Sequence, residues 1–207
     1  ALRTPEGRHP HAASREEIDK AATDFGLPMG PFTLVDQLGI DICYDVVQVL
    51  LNSYGNRMQP AEIWGKLYQA KYFGRKNGAG FYTYDPDKKD RLTKWVKEVQ
   101  VKKTKKSTFG LERLLFSMVN EAALCLEENV ASASDIDLAM VAGTGFPQEK
   151  GGLLRYADEV GLDQVLIKLE TLHKEHGDRF WPAPRLKRMV GAGFLGKKSG
   201  RGFHIYG

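Results

Sequence analysis

The chain has 207 residues, which is enough for one or two domains, and its composition, 42% hydrophobic and 27% charged, is that of a soluble globular protein. No apolar run is long enough to span a membrane, and residues 1–17 contain no apolar stretch of the signal-peptide type. Two cysteines do not make a disulfide framework. We therefore expect Cys43 and Cys125 to be buried structural thiols, rather than reactive ones, in a reducing compartment.

The first predicted helix begins at Ser14, because Ser14 and Glu17 form the S-x-x-E pattern of a capping box. The Gly/Pro loop "FGLPMGPF" at 25–32 separates this helix from the next one. Gly39 breaks that short helix, and Asp41 opens a longer one, where its charge suits the positive end of the helix.

A further short helix begins near Pro60, since proline suits the first turn of a helix. It leads into "YFGRKNGAGFYTY" at 72–84. The glycines of this stretch predict a tight turn after the helix, and we expect Phe81 and Tyr84 to pack back on the preceding helices.

Residues 85–106 form a basic run with nine Lys/Arg and four Asp/Glu residues. Such a run is typical of a solvated linker helix and hinge. A nucleic-acid or anionic-ligand patch is the alternative, but Trp95 is its one aromatic residue for base stacking. We therefore expect no nucleic-acid partner.

The rest of the chain repeats the first part. After a long amphipathic helix predicted at 111–129, "FLGKKSGRGFHIY" at 194–206 repeats the closing stretch at an offset of 122 residues. Four more positions share that offset: Asp36, Gly39, Asp41 and Pro60 return as Asp158, Gly161, Asp163 and Pro182. Upstream the offset is 118, with Ser132 and Asp135 repeating the capping pattern, so the loop 143–152 holds extra residues.

This pattern predicts an all-α fold with two similar helical domains. We place the first domain at 1–85, a basic linker at 86–108 and the second domain at 109–207. The helix at 111–129 has no counterpart in the first domain. We expect residues 1–13 to be irregular, and the first domain to expose apolar surface that the second domain or a dimer mate covers.

Catalytic motifs are weak in this chain. "GAGFLG" at 191–196 matches G-x-G-x-x-G, but a helix precedes it, and Gly191 and Gly193 become Gln69 and Lys71 in the first copy. A structural turn is the better interpretation. His9 and His11 lie in a terminal segment that we expect to be disordered rather than metal-binding. His173 and His176 lie at the end of a helix and lack acidic or thiol partners for a metal site nearby. No nucleophile–His–acid order stands out in the sequence.

Three segments together resemble a known family: "EEIDKAATDFGLPMGPFTLVDQLGID" at 16–41, "SDIDLAMVAGTGFPQEKGGLLRYADEVGLD" at 134–163 and "LGKKSGRGFHIY" at 195–206. They look like the C-terminal domains of 3-hydroxyacyl-CoA dehydrogenases, and the tandem arrangement resembles the multifunctional enzymes of fatty acid β-oxidation. The resemblance implies two 6-phosphogluconate-dehydrogenase-C-terminal-like helical domains. It also implies NAD-dependent oxidation of a 3-hydroxyacyl-CoA to a 3-oxoacyl-CoA in the complete protein.

The family's chemistry implies which parts this chain lacks. The catalytic His and its orienting Glu belong to a dinucleotide-binding domain absent from this chain, which would also bind the NAD. A family Asn lies on the first opening helix, also absent here, and the matching position of the second copy is Glu112, followed by Arg113. We therefore assign no catalytic, cofactor-binding or metal-binding residue, and we predict the chain alone to be inactive.

What the resemblance does imply is a substrate-facing surface. In the family the first helical domain closes over the acyl-CoA, so five loop residues are candidates for substrate binding: Pro28, Met29, Gly30, Pro31 and Phe32. Lys76, or a basic residue near it, is the candidate for contact with a phosphate of the substrate. The alternative for the loop is a rigid connection that supports packing.

Further expected partners are an enoyl-CoA hydratase domain and a second copy in a homodimer. The expected compartment is the prokaryotic cytoplasm, with mitochondria or peroxisomes as alternatives. A non-catalytic scaffold that holds neighbouring domains or subunits is the rival function.

Overall fold

The computed structural model describes residues 13–100 and 109–207. Within these ranges the chain forms α-helices, 3₁₀ helices and isolated β-bridges, which confirms the all-α class. The predictions for residues 1–13 and for the histidines at 9 and 11 fall outside the described residues, apart from Ala13. The end of the basic run, at 101–108, also lies outside them.

Four helices of the first domain correspond in order to four helices of the second. In the first domain they are α1 (Arg15–Phe25), α2 (Pro31–Leu38), α3 (Ile40–Tyr54) and α4 (Glu62–Gln69). Two helices without a counterpart follow, α5 (Leu92–Gln100) and α6 (Leu111–Glu127). The second set is α7 (Ala133–Thr144), α8 (Leu153–Val160), α9 (Leu162–His176) and α10 (Pro184–Gly191).

The predicted capping boxes start the matching helices α1 and α7. The Ser14 hydroxyl accepts from the Glu17 amide at 3.2 Å, and the Glu17 carboxylate accepts from the Ser14 amide at 2.9 Å. Ser132 and Asp135 form the same pair at the start of α7. Both helices end at a glycine in the left-handed region, where a side chain would be strained.

A buried aspartate holds the closing turn of each domain. Asp36 on α2 accepts from the amides of Phe81 and Tyr82, both at 2.8 Å, and from the Tyr84 hydroxyl at 3.1 Å. The turn can reach this carboxylate because residue 80 is glycine: a Cβ at Gly80 would lie 2.2 Å from an Asp36 oxygen. The repeated G-x-G-F motif therefore forms a turn whose backbone amides bind the buried carboxylate.

The second domain repeats this arrangement around Asp158. Its carboxylate accepts from the amides of Phe203 and His204, both at 2.9 Å, and from the Tyr206 hydroxyl at 3.0 Å. One partner differs between the domains. His204 Nε2 lies 2.8 Å from the buried Asp137, whereas at the same place in the first domain a tyrosine hydroxyl meets the equivalent aspartate.

Helix α6 gives the second domain the larger core. It packs against α8, α9 and α10, and its Asn120, 2% exposed, ties it to the segment before α10. The Asn120 side chain donates to the Trp181 carbonyl at 2.9 Å and accepts from the Ala183 amide at 2.8 Å. Because α1–α4 have no such helix among the described residues, their core is smaller.

The first domain does expose apolar surface, as expected. Along α2 and α3, four aliphatic side chains are more than half exposed: Leu38, Ile42, Val46 and Val49. The positions of Ile42 and Val46 are Gln164 and Lys168 in the second domain, so that domain presents a more polar face.

The basic run is not only a solvated linker, which corrects the sequence prediction. Its helix α5 packs on the first domain, where Leu92 is 6% exposed and belongs to the domain's core. The Trp95 ring lies edge-on to Tyr72 at 5.0 Å between centroids. The exposed lysines lie on the opposite face because the helix is strongly amphipathic.

The two domains contact each other through matching elements. The 3₁₀ helix Gly55–Met58 lies against its counterpart Asp178–Phe180. Across the contact, Arg57 pairs with Glu121 at 3.3 Å, and the Arg179 guanidinium donates to the Gln59 carbonyl. Because an element of one domain contacts its own counterpart in the other, the contact resembles the self-complementary interface of a two-fold dimer.

Cys43 on α3 and Cys125 on α6 are free thiols and are half-buried rather than buried, which corrects the prediction for them. Burial nevertheless raises the pKa of the Cys43 thiol.

Among the helices of residues 13–100 and 109–207, none combines the length and hydropathy that a bilayer crossing requires.

Candidate functional site

The candidate loop connects α1 to α2, and the buried Asp19 of α1 fixes its end. The Asp19 carboxylate accepts from the amides of Phe32 and Thr33 at 2.8 and 2.9 Å and from the Thr33 hydroxyl at 2.7 Å. The Tyr82 hydroxyl donates to the same carboxylate at 2.9 Å. These bonds satisfy amides at the start of α2 that have no partner within the helix.

Gly30 and Pro31 allow the loop to enter α2 at this point. A Cβ at Gly30 would lie 2.2 Å from Asp19 Cβ, so only glycine fits against α1 there. Pro31 is the first residue of α2, where the missing amide hydrogen costs nothing. The sequence "MGPF" is thus explained by close helix packing.

The other end of the loop packs against the equivalent loop of the second domain. A Cβ at Gly145 would lie 2.7 Å from Pro28, and a Cβ at Gly26 would lie 2.8 Å from Pro147. Each proline therefore sits on the glycine that ends the other domain's helix. Lys150 Nζ, from the extra turn of the second loop, lies 4.8 Å from the Phe25 ring centre.

Within the loop, Phe32 and Met29 have different surroundings. The Phe32 ring lies 4.8 Å from the Phe81 ring and belongs to the edge of the first domain's core. Met29 is half-buried, and Pro28 is exposed apart from its contact with the second domain. The loop therefore offers an apolar surface on a backbone that both domains hold in place.

Lys76 lies at the opposite end of α2 from the loop, roughly 12 Å away for a helix of this length. Its ammonium pairs with Asp41 at 2.5 Å and holds the pKa of that carboxyl below its usual range. Lys198 makes the same pair with Asp163 in the second domain. The structure thus does not bring Lys76 into contact with the loop, and it gives this lysine a structural partner.

The hydroxyls that hold the closing turns should titrate late. Burial raises the pKa of Tyr84 to about 12, and it also raises the pKa of Tyr82 and of Tyr206. Unfolded tyrosine ionises near pH ~10, so the folded pKa is the higher one. The stability that these hydroxyls contribute is therefore fully present below about pH 10 and is lost as pH rises through about 12.

An ultraviolet titration of tyrosinate measures this effect. We expect these three tyrosines to ionise in a late phase, together with alkaline unfolding. In the double variant Tyr84→Phe, Tyr206→Phe, the late phase should shrink. An unchanged late phase in that variant would show that other tyrosines produce it.

The residues present do not fit a dinucleotide cofactor at the glycine-rich segment 191–196. NAD phosphates bind where a strand turns into a helix N-terminus. Here the segment begins at the last residue of α10 and leads into the 3₁₀ turn Lys197–Ser199. Gly196 instead serves close packing, since a Cβ there would lie 2.2 Å from the Asp158 carbonyl oxygen.

The remaining polar candidates form no reaction centre. Glu112 is exposed in the first turn of α6, and the Arg113 guanidinium lies 5.6 Å from the Phe180 ring centre. His173 packs against Trp181 at 4.8 Å between ring centres. Within the described residues, no group of three His, Cys, Asp or Glu side chains could hold a metal ion.

Sequence reasoning recognised Asp36 and Asp158 as repeat positions, but it assigned no role to the four buried aspartates that organise the fold: Asp19, Asp36, Asp137 and Asp158. A usable signal was present, since each aspartate of one domain recurs at the repeat offset in the other. Local patterns gave these residues no role, because their partners lie 13 or more positions away along the chain.

The fold and the loop define a class of protein: a duplicated helical domain whose first copy presents a rigid loop. The family model described as "3-hydroxyacyl-CoA dehydrogenase, C-terminal domain" matches residues 9–84 and 109–206. The chain belongs to this family.

Relatives and solved structures agree. The chain is 38% identical over 184 residues to the fatty acid oxidation complex subunit alpha of Idiomarina loihiensis, covering 86% of this chain and 26% of that protein. It therefore spans about a quarter of the length of the curated relatives it matches. The dehydrogenase part of multifunctional enzyme 1 from C. elegans has 27% identity and a TM-score of 0.59, covering 84% of this chain and 41% of that one.

A 3-hydroxybutyryl-CoA dehydrogenase from Escherichia coli K12 shows the same fold. Its TM-score is 0.69 at 21% identity, with coverage of 88% of this chain and 56% of that one.

Proposed function

We propose that this chain is the helical, substrate-side part of a 3-hydroxyacyl-CoA dehydrogenase that acts in fatty acid β-oxidation. The observation that carries the proposal is the family match over both domains, joined to a relative named as a fatty acid oxidation complex subunit. In the complete protein, a dinucleotide-binding domain would hold NAD and supply the base. This chain would supply the surface against which the acyl-CoA is held.

The loop 28–32 is the proposed contact with substrate. Its apolar surface suits an acyl chain or the pantetheine arm of the substrate, and its fixed backbone lowers the entropy lost on binding. Lys76 would meet a phosphate of the coenzyme A part. Because that lysine already pairs with Asp41, its ammonium would be shared between Asp41 and the phosphate, and the phosphate contact would contribute little binding energy.

A scaffold function is the second candidate, and the reciprocal contact of the two loops favours it. Pro28 and Pro147 each close on the other domain's glycine, so the second domain supports the first at the candidate loop. Under this proposal the second domain makes no contact with substrate. Assembly into a homodimer, an enoyl-CoA hydratase domain elsewhere in the protein and a cytoplasmic location are further parts of the proposal.

The isolated chain should neither oxidise a 3-hydroxyacyl-CoA nor bind NAD in titration calorimetry. We expect acyl-CoA binding weaker than about 0.1 mM, because exposed phosphate contacts contribute little. Addition of a separate dinucleotide-binding domain from a relative should strengthen it. Micromolar NAD affinity or dehydrogenase turnover by the chain alone would contradict the proposal.

Two lysine variants separate substrate contact from fold support. Lys76→Ala and Lys198→Ala each remove the same kind of Asp–Lys pair, so each should lower the free energy of unfolding by the same small amount. Only Lys76→Ala should weaken acyl-CoA binding, by about threefold for an exposed ionic contact. Equal effects of the two variants on binding would remove Lys76 from the site and favour the scaffold.

A further inference from the structure

A groove on the second domain has the same position as a helix-binding surface on the first. It has a volume of about 380 Å³ and lies between α10 and the closing turn. Met189, Phe194 and Phe203 form its apolar floor, and Arg185, Arg188 and Arg201 surround that floor. We call it the arginine groove. It lies outside the loop 28–32 and takes no part in the proposed function.

In the first domain, α5 occupies the equivalent surface. The floor residues Met189, Phe194 and Phe203 correspond to Leu67, Tyr72 and Phe81 at the repeat offset. Leu92 of α5 packs in one cluster with Leu67 and Phe81, and Trp95 packs on Tyr72. Glu98 of α5 pairs at 2.7 Å with Lys66, the counterpart of Arg188.

Helix α5 shields the floor residues of the first domain from solvent, and their counterparts in the second domain are more exposed. Under α5, Leu67 is 0% and Phe81 is 4% exposed. Their counterparts Met189 and Phe203 are only half-buried, and Ile205 beside them is 80% exposed. The second domain therefore keeps the shape of a helix-binding surface and lacks a covering helix among the described residues.

The charge of the arginine groove differs from that of the surface under α5. Arg185 and Arg201 replace Ile63 and Ala79, so the groove gains two positive charges. Arg188 already pairs with Glu127 at 2.6 Å. Arg185 donates to the Leu126 carbonyl at 3.1 Å through its Nη1, while its Nε is buried without a hydrogen-bond partner. The Arg201 guanidinium lies 4.1 Å from the centre of the Phe194 ring, and among the described residues no carboxylate forms an ion pair within 4 Å with either arginine. A negatively charged occupant would complement these groups.

The chain's own remaining segments do not fit. Residues 1–12 contain two arginines and one glutamate, and residues 101–108 contain four lysines and no acid. Both would bring positive charge to arginines. Helix α5 itself is already packed on the first domain. Neither segment therefore supplies the negative charge that would complement the groove.

We propose that the arginine groove binds an acidic amphipathic helix of a partner protein. Helix α5 supplies the template: its Leu92, Trp95 and Val96 place apolar side chains at positions i, i+3 and i+4. The partner helix carries this spacing with Asp or Glu beside it, where α5 carries mainly lysine. Its carboxylates pair with Arg185 and Arg201, while its apolar side chains cover the half-buried floor and the exposed Ile205.

The test uses the full 207-residue chain and a fluorescent peptide. The peptide has the sequence of residues 90–100 with Arg91→Glu, Lys94→Glu and Lys97→Glu. We expect saturable binding by fluorescence anisotropy. Arg201→Glu should weaken it at least about tenfold, which is the loss of one desolvated charge pair, and Ile205→Glu should do the same. Both side chains are exposed, so circular dichroism should stay unchanged.

Matched controls give each outcome a meaning. Lys187→Glu makes the same charge change on α10, but its ammonium lies over the Trp181 ring at 4.2 Å, outside the groove, so binding should be unchanged. A peptide of the same composition with scrambled apolar positions should bind at least about tenfold more weakly than the ordered one. Equal binding of the scrambled peptide, or full binding by Arg201→Glu, would overturn the proposal.

Two further results would replace it with another occupant. Displacement of the peptide by millimolar pyrophosphate at constant ionic strength would identify a small-anion site. Self-association of the chain that Arg201→Glu abolishes would identify a second copy as the occupant.

Discussion

Replacing Asp158 with alanine should destabilise the second domain by about 3 kcal/mol or more, because a buried donor that loses its partner costs roughly 1–3 kcal/mol. Three donors lose their acceptor at once: the amides of Phe203 and His204 and the Tyr206 hydroxyl. Burial raises the pKa of Asp158, so the native carboxylate carries a desolvation cost that the variant no longer has. The net loss is therefore smaller than the sum of three broken bonds.

Denaturant unfolding followed by circular dichroism measures this loss, and three further variants serve as comparisons for Asp158→Ala. Asp158→Asn keeps one acceptor oxygen and should lose less than Asp158→Ala. Asp36→Ala should affect the first domain in the same way, since its geometry is the same. The control Glu159→Gln removes an exposed carboxylate next in sequence, whose solvent-exposed pair with Lys197 at 2.9 Å should contribute little, so stability should change by less than about 0.5 kcal/mol. An Asp158→Ala chain as stable as wild type would show that the closing turn does not depend on the carboxylate.

Gly196→Ala should be as damaging, with a loss of about 3 kcal/mol or more from strain and overpacking together. Gly196 has a φ of 94°, in the left-handed region, and a Cβ there would lie 2.2 Å from the Asp158 carbonyl oxygen. Helix α8 packs against α6, α7 and α9, which restricts its movement away from residue 196. Relief of the clash would pull the closing turn off its aspartate.

Gly143→Ala is the matched control for this substitution. Gly143 lies in α7, and a Cβ there meets nothing within 4 Å. Alanine favours a helix over glycine by up to about 1 kcal/mol, so this variant should be neutral or slightly stabilising. If thermal unfolding shows similar melting temperatures for both variants, the close approach at residue 196 is relieved by local relaxation.

The proposed partner and the proposed enzyme function are independent of each other. The arginine groove lies on the second domain, whereas the candidate substrate loop lies on the first. Loss of peptide binding in Arg201→Glu with normal acyl-CoA binding would support two separate surfaces. A duplicated domain can acquire such a second role because only one copy needs to face the substrate.

The repeat by itself determined much of the architecture. Ser14 with Glu17 and Ser132 with Asp135 fixed where α1 and α7 begin, because capping boxes are local and their partners lie three residues apart. The offset of 122 predicted that the remaining helices would match in pairs. It also showed that "GAGFLG" is a turn, since its first two glycines are absent from the other copy.

Only the tertiary structure decided what these motifs contact. Asp36 and Phe81 lie 45 positions apart, and no local periodicity indicates that a carboxylate will meet two amides of the closing turn. The contacts of Pro28 with Gly145 and of Trp95 with Tyr72 likewise join segments that the chain brings together only when it folds. Local patterns specify helices and turns because their hydrogen bonds are short-range. The site and its supports depend on long-range packing, which only the folded chain defines.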